Sequence, residues 1–190
     1  MNKIFAFCGA SGTGKSTLLK YIKENYNIEV KELSGRDFLP KDNSYDKTLT
    51  DEIQTKIVYN RAIETAKALA DLTKDKSIVF SRSNLDTLSY SLVLHKAESL
   101  NDLQKKEIES LKDYIIYFYL PVEFDMKDEN DIVRGTNKDV QRDTDKNIRL
   151  IINQFNLWNH VYTLTGSVKE RTDELDEIFS KYGVNRIEKI

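Results

Sequence analysis

Five short apolar runs recur along the chain: KIFAFCG at 3–9, NIEVKEL at 27–33, SIVFS at 77–81, YIIYFYLP at 114–121 and HVYTLTG at 160–166. The stretches between them read as helices. Runs of this length, rich in β-branched and aromatic residues and alternating with helical patterns, predict parallel strands joined by helical crossovers. Between the second and third runs, LTDEIQTKIVYNRAIETAKALADL sets Ile53, Ile57 and Ala62 or Arg61 at helical spacing, with Thr50 and Ile53 framing an acidic first turn. That pattern predicts one long helix. Residues 40–47, PKDNSYDK, and 123–138, EFDMKDENDIVRGTNK, are polar and predict loops, the second long enough to serve as a lid extending to about 149.

Composition narrows the picture. A chain of 190 residues with 39% hydrophobic and 32% charged residues is long enough to bury a core and fits one domain over 1–190. A formal net charge of -2 does not suit a protein that coats polyanions, so small-molecule partners are expected. The single cysteine, Cys8, has no partner for an internal disulfide, and MNKIFAFCGASG lacks the apolar core of a signal peptide, which together suggest a reducing cytosol. The longest apolar run, YIIYFYL at 114–120, is too short for a membrane-spanning helix. No internal repeat or linker divides the chain, and assembly into a homodimer is left open.

The densest chemistry lies in GASGTGKST, Gly9 to Thr17, which satisfies G-x-x-x-x-G-K-[ST] between an apolar strand and the helical TLLKYIKENY. Gly9, Gly12 and Gly14 allow the backbone around Ser11 and Thr13 to curl with its N–H groups inward, and the helix beginning near Lys15, Ser16 and Thr17 adds its positive end to the same anion hole. A nucleoside triphosphate fits such a cradle, with Lys15 across the β- and γ-phosphates and the Ser16 hydroxyl on a magnesium ion bridging them. ATP and Mg2+ are therefore the expected cofactors.

With the cradle in place, the chain resembles the small P-loop kinase group that includes ribosylnicotinamide kinase domains and phage-type nucleoside or nucleotide kinases. The likeness rests on the cradle, KELSGRDFL after the second strand, the glutamine-bearing EIQTKIVYNRAIE, SRSNLDTLSY after the third strand, DIVRGTNKDVQRDTDKNIR as lid, and LTGSVKERTDELDEIF near the end. It implies an α/β P-loop NTPase sandwich of three layers, with a five-stranded, mainly parallel sheet and a helical lid. It also implies phosphoryl transfer to a nucleoside, a nucleoside monophosphate or nicotinamide riboside.

Such kinases carry Asp-Arg where this chain has Ser81-Arg82. Serine brings hydrogen bonds without charge, so magnesium would rely on Ser16, water and the phosphates, or another carboxylate would stand in. Glu32 is the first candidate: it shares a strand face with Ile28 and Val30 at the carboxyl end of its strand, and the resemblance makes it the acceptor of the attacking hydroxyl's proton. Asp86 fits either a first-turn helix cap or, by the D-R-x-x-x-D likeness, a contact to a substrate hydroxyl or to the metal's water. Arg82 and Arg36 are candidates to grip the acceptor or a phosphate, against structural ion pairing or a surface loop. Gln54 is, by the resemblance, a reader of a base edge, or else a solvated helix glutamine. Tyr59 and Tyr90 can stack on a base or pack the core.

Arg134 and Arg142 are the cations chosen to close over the phosphates, while Asp145 lies at i,i+4 pairing distance from Arg149. The resemblance places Gly166 to Val168 against adenine with Arg171 near the ring; a turn capping the final helix is the other reading. His95 and His160 have no companions for a zinc site. TNKDV at 136–140 has Val140 where a guanine-reading motif needs aspartate, which argues against a regulatory GTPase. The functional alternatives are a kinase of a modified base in DNA, for which no cationic groove is evident, and a non-kinase ATP-binding or ATP-hydrolysing regulator.

Overall fold

Strand β1, Ile4–Cys8, is buried at every position, as a strand covered on both faces must be. It belongs to a computed structural model that describes residues 3–32, 51–71, 77–94, 100–123 and 138–188, excepting the side chains of 51–55 and 94. Arg36, Arg134, His95 and the Gln54 side chain lie outside the described residues, as do 124–137 of the expected lid.

After β1 come α1 (Lys15–Asn25), β2 (Glu29–Lys31), α2 (Asp51–Asp71), β3 (Ile78–Phe80), α3 (Asn84–Leu94), α4 (Asp102–Leu111), β4 (Ile115–Tyr119), α5 (Lys138–Gln154), a 3-10 turn (Leu157–His160), β5 (Val161–Thr163) and α6 (Val168–Lys181). The five strands lie in the order β2-β3-β1-β4-β5. Every pairing is parallel, with Ile4 opposite Ile78 on one side and Ile115 on the other. The sheet is thus wholly parallel where a mainly parallel one was expected; the antiparallel pairing present is the isolated bridge of Tyr26 with Arg186. The chain leaves β1 toward β2 on one side while β4 lies on the other, so the open crevice falls at the carboxyl end of β1.

Alternation along β1 and β4 divides the core into two layers. Ile4, Ala6 and Cys8 face α3, α4 and α5, where Leu85, Leu88, Ile108, Ile148 and Ile152 close the layer. Phe5 and Phe7 face α1 and α6 with Phe118 and Phe179. There the rings of Phe5 and Phe118 stack at 5.4 Å, and Phe179 meets Phe5 edge-on at 5.1 Å. Such pairs add about 0.5–1.5 kcal/mol each beyond their buried area.

On the long helix α2, Ile57 and Ala68 are buried, and Arg61 rather than Ala62 turns inward. The remaining part of the expected lid, 138–149, is the first portion of α5. Its Gln141, Thr144, Asp145 and Ile148 are buried, so this stretch belongs to the packed body instead of a covering flap. Among the described residues no helix is long and apolar enough to cross a membrane.

Candidate functional site

The chain turns out of β1 at a peptide whose two polar groups are both taken. The Cys8 carbonyl accepts Leu120 N–H at 2.8 Å, and Gly9 N–H donates to Asp86 Oδ1 at 2.8 Å. Gly9 has φ +151°, and a Cβ there would stand 2.5 Å from the Leu120 carbonyl oxygen, so only glycine fits. Gly14, at φ +97°, releases the chain into α1 at Lys15; its carbonyl accepts Thr17 N–H at 3.1 Å and Leu18 N–H at 3.3 Å, and the N–H groups before Thr17 have no partner within an α-helix.

The Lys15 side chain arches back over this turn. Its ammonium donates to the Gly9 carbonyl at 2.5 Å, the Ala10 carbonyl at 2.6 Å and Thr13 Oγ1 at 3.3 Å. Burial lowers Lys15 from 10.5 to about 7, opposed by the Asp86 carboxylate and reinforced by the Arg82 charge. An anion in the cradle would offset that desolvation.

Three helices hold the outside of the turn. Asp86 and Ser83 form a capping box at the start of α3: Asp86 Oδ2 accepts Ser83 N–H at 2.8 Å and the Ser83 hydroxyl at 3.0 Å, while Ser83 Oγ accepts Asp86 N–H at 3.3 Å. One turn on, Tyr90 Oη accepts Ser11 N–H at 3.0 Å. From α5, Gln141 Nε2 donates to the Ser11 carbonyl at 2.6 Å. From α6, Arg171 donates to the Thr13 carbonyl at 2.6 Å and to Glu123 Oε2 at 2.6 Å. Arg61 supports the same assembly from α2, donating to the Ser83 carbonyl at 2.7 Å.

A cleft of about 570 Å³ opens in front of the loop, bounded by Ser11 to Thr17, Lys20, Lys23, Glu32, Ser81 and Arg82. Ser81 is brought there by parallel pairing, its N–H on the Lys31 carbonyl at 3.0 Å. Glu32 follows β2 directly and forms an ion pair with Lys23 of α1. Of the expected residues, Ser11 to Thr17, Glu32 and Arg82 are thus gathered around one cavity, while Gly9 lies behind it at the end of β1.

Other candidates take structural places, some of them readings the sequence leaves open. Asp86 is fully buried, with both carboxylate oxygens engaged by Gly9 and Ser83, so it braces the loop instead of reaching a substrate hydroxyl or a metal's water. Arg171, expected beside an adenine ring, has its guanidinium buried under the loop between Thr13 and Glu123. Arg142 pairs with Asp139 on the exposed side of α5 at 2.8 Å and does not line the cleft. Arg149 meets Asp145 at 3.0 Å, the helical pairing its spacing predicts, and Asp145 also accepts the Tyr119 hydroxyl at 2.7 Å. Tyr90 packs in the core and Tyr59 is exposed. Cys8 is buried, which raises its pKa and leaves the thiol protonated.

Gln141 and Glu123 belong to the site although the sequence marks neither as a candidate, and Tyr90, on the sequence a stacking or core residue, joins them as an acceptor for the loop. Both of the helical ones share a buried face with other polar residues, Gln141 with Thr144 and Asp145, Tyr90 with Asp86, Thr87 and Ser89, so no local pattern sets them apart.

Among the described residues no group of three His, Cys, Asp or Glu side chains could enclose a metal. The Ser16 hydroxyl beside the anion cradle suits an ion that keeps most of its water.

A family model described as AAA domain matches residues 4–171. No curated protein matches the chain in sequence. Among solved structures, the NadR protein in complex with NR superposes with a TM-score of 0.71 at 14% identity, over 98% of this chain and 53% of that one. The chain therefore spans about half the length of NadR. Deoxyadenosine kinase from M. mycoides, with products dCMP and dCDP bound, gives 0.62 at 15% identity over 94% and 99%. Thymidylate kinase from Candida albicans gives 0.62 at 14% identity over 98% of each chain. The chain shares its fold with these three proteins.

Proposed function

The chain belongs to that AAA domain family, and from this premise we propose that it is an ATP- and magnesium-dependent kinase of a small nucleoside, nucleoside monophosphate or nicotinamide riboside. One observation carries the reading: the phosphate cradle, with Lys15 arched over it, opens into the same cleft as Glu32 and Arg82. The kinase-like fold of the similar structures supports it.

In this reading Lys15 and the loop amides hold the β- and γ-phosphates, and Arg82 neutralises charge on the transferring group. Magnesium, when bound at the Ser16 hydroxyl, supplies charge neutralisation on the phosphate oxygens. The acceptor oxygen forms its bond to the γ-phosphorus as the bond from that phosphorus to the β–γ bridging oxygen breaks; ADP leaves, and an attacking hydroxyl gives its proton to Glu32. A phosphate acceptor attacks as an anion and needs no base. Arg36, Gln54 and Arg134 are assigned to acceptor and phosphate contacts on the sequence likeness alone.

The test is incubation with ATP and magnesium against nucleosides, their monophosphates and nicotinamide riboside, with phosphorylated product sought by mass. A product from the wild type and none from Lys15→Ala, with the fold retained, is the expected result. ATP turnover with no phosphorylated acceptor would favour the regulator reading, which the neutral Ser81 at the cleft keeps in view.

A further inference from the structure

The outer ties of the loop decide where its amides point. A trans peptide is planar, so the carbonyl of one residue and the N–H of the next project in opposite directions. Arg171 takes the Thr13 carbonyl and Gln141 takes the Ser11 carbonyl, both at 2.6 Å and both from outside the turn. The N–H groups of Gly14 and Gly12 are thereby turned the other way, to the concave side. Gly12 and Gly14 hold positive φ, which lets the chain reverse twice within three residues.

Both tethers are buried, Arg171 at 2% exposure and Gln141 at 5%. Arg171 is itself anchored: Glu123 Oε2 accepts its second guanidinium nitrogen at 2.6 Å and Gly166 N–H at 2.9 Å. One carboxylate oxygen thus ties the phosphate loop to the turn that begins α6.

We propose that Arg171, anchored by Glu123, and Gln141 are positioning residues for the phosphate donor, fixing the Thr13 and Ser11 carbonyls outward so that the Gly14 and Gly12 amides meet the polyphosphate. The proposal rests on the cradle being a triphosphate site. Arg171 acts through hydrogen-bond geometry: its planar fork serves Thr13 and Glu123 at once, which a lysine ammonium on a single flexible stem does poorly.

The experiment is calorimetry of ATP and of inorganic tripolyphosphate with magnesium, on wild type, Arg171→Gln, Arg171→Lys and Gln141→Leu, each run well below its own melting temperature. Loss of a tether is expected to weaken both ligands by the same factor, roughly 10- to 100-fold, since the donors affected face phosphate and not the base. Arg171→Lys should recover little of it. Unchanged affinity in folded Arg171→Gln and Gln141→Leu would overturn the inference, and so would full recovery with lysine, which would mean that charge alone matters. Should Arg171→Gln fail to fold, Gln141→Leu decides by itself. Wild-type protein that bound neither ligand would instead remove the triphosphate reading, and this inference with it.

Discussion

Asp86 and Gly9, 77 residues apart in sequence, are joined by a 2.8 Å hydrogen bond from the glycine N–H to Oδ1 inside a fully buried pocket. The same carboxylate caps α3 through Ser83. Replacing it with alanine orphans a buried amide and uncaps a helix, each about 1–2 kcal/mol, so Asp86→Ala should lose roughly 2–4 kcal/mol of stability in urea denaturation. Asp86→Asn retains an acceptor and should lose less. A midpoint for Asp86→Ala equal to wild type would contradict the bracing role.

Lys15 makes both stability and ligand binding depend on pH. Its folded value near 7 lies below the ordinary 10.5, so between these values the unfolded chain holds a proton that the folded chain has released. Folding stability should therefore rise with pH across this window, and Lys15→Met should flatten the rise. Polyphosphate favours the charged amine, so ATP binding should take up a proton above about pH 7 and weaken as pH climbs. Calorimetry in two buffers of different ionisation enthalpy measures that proton; equal apparent enthalpies at pH 8 would contradict it.

Gly9→Ala places a methyl group 2.5 Å from the backbone oxygen of Leu120, in a conformation unfavourable to any side chain. Neither atom belongs to a flexible side chain, so the start of the loop must shift. A loss of about 2 kcal/mol or more in thermal unfolding, together with weakened ATP binding, is expected.

Ser81→Asp tests the missing strand-end acid. The side chain sits at the cleft wall beside Arg82, where a carboxylate would face the cationic cradle. Magnesium-dependent turnover should be preserved or raised. Abolished turnover with an intact fold would show that the serine hydroxyl has a role of its own.

Apolar runs marked the central strands most plainly, because a strand covered on both faces has to be hydrophobic throughout, as Ile4–Cys8 and Ile115–Tyr119 are; the edge strands Glu29–Lys31 and Val161–Thr163 are only partly buried. The turn from β1 into α1 was equally legible, since it is written in nine consecutive residues, Gly9 to Thr17. What holds the loop was not. Arg171 is 158 residues from Thr13, and Gln141 is 130 from Ser11. Nothing local distinguishes an arginine that supports a backbone carbonyl from one that stacks on a base. Asp86 shows the same ambiguity within a single residue: its first-turn position announced a cap, and only the fold reveals that its second oxygen reaches across to β1.

Packing on both sides of β1 gives the loop a stiff base. On one side, α1 rests on Phe5, Phe7, Phe118 and Phe179, rings in van der Waals contact that leave little space to yield. On the other, α3 and α5 pack on Ile4, Ala6 and Cys8 through Leu85, Leu88, Ile148 and Ile152, and reach the turn itself through the polar links of Asp86, Tyr90 and Gln141. Accommodation of differently sized cargo should therefore fall on these directional polar links, which stretch at lower cost than packed side chains compress, with both apolar layers acting as the fixed reference.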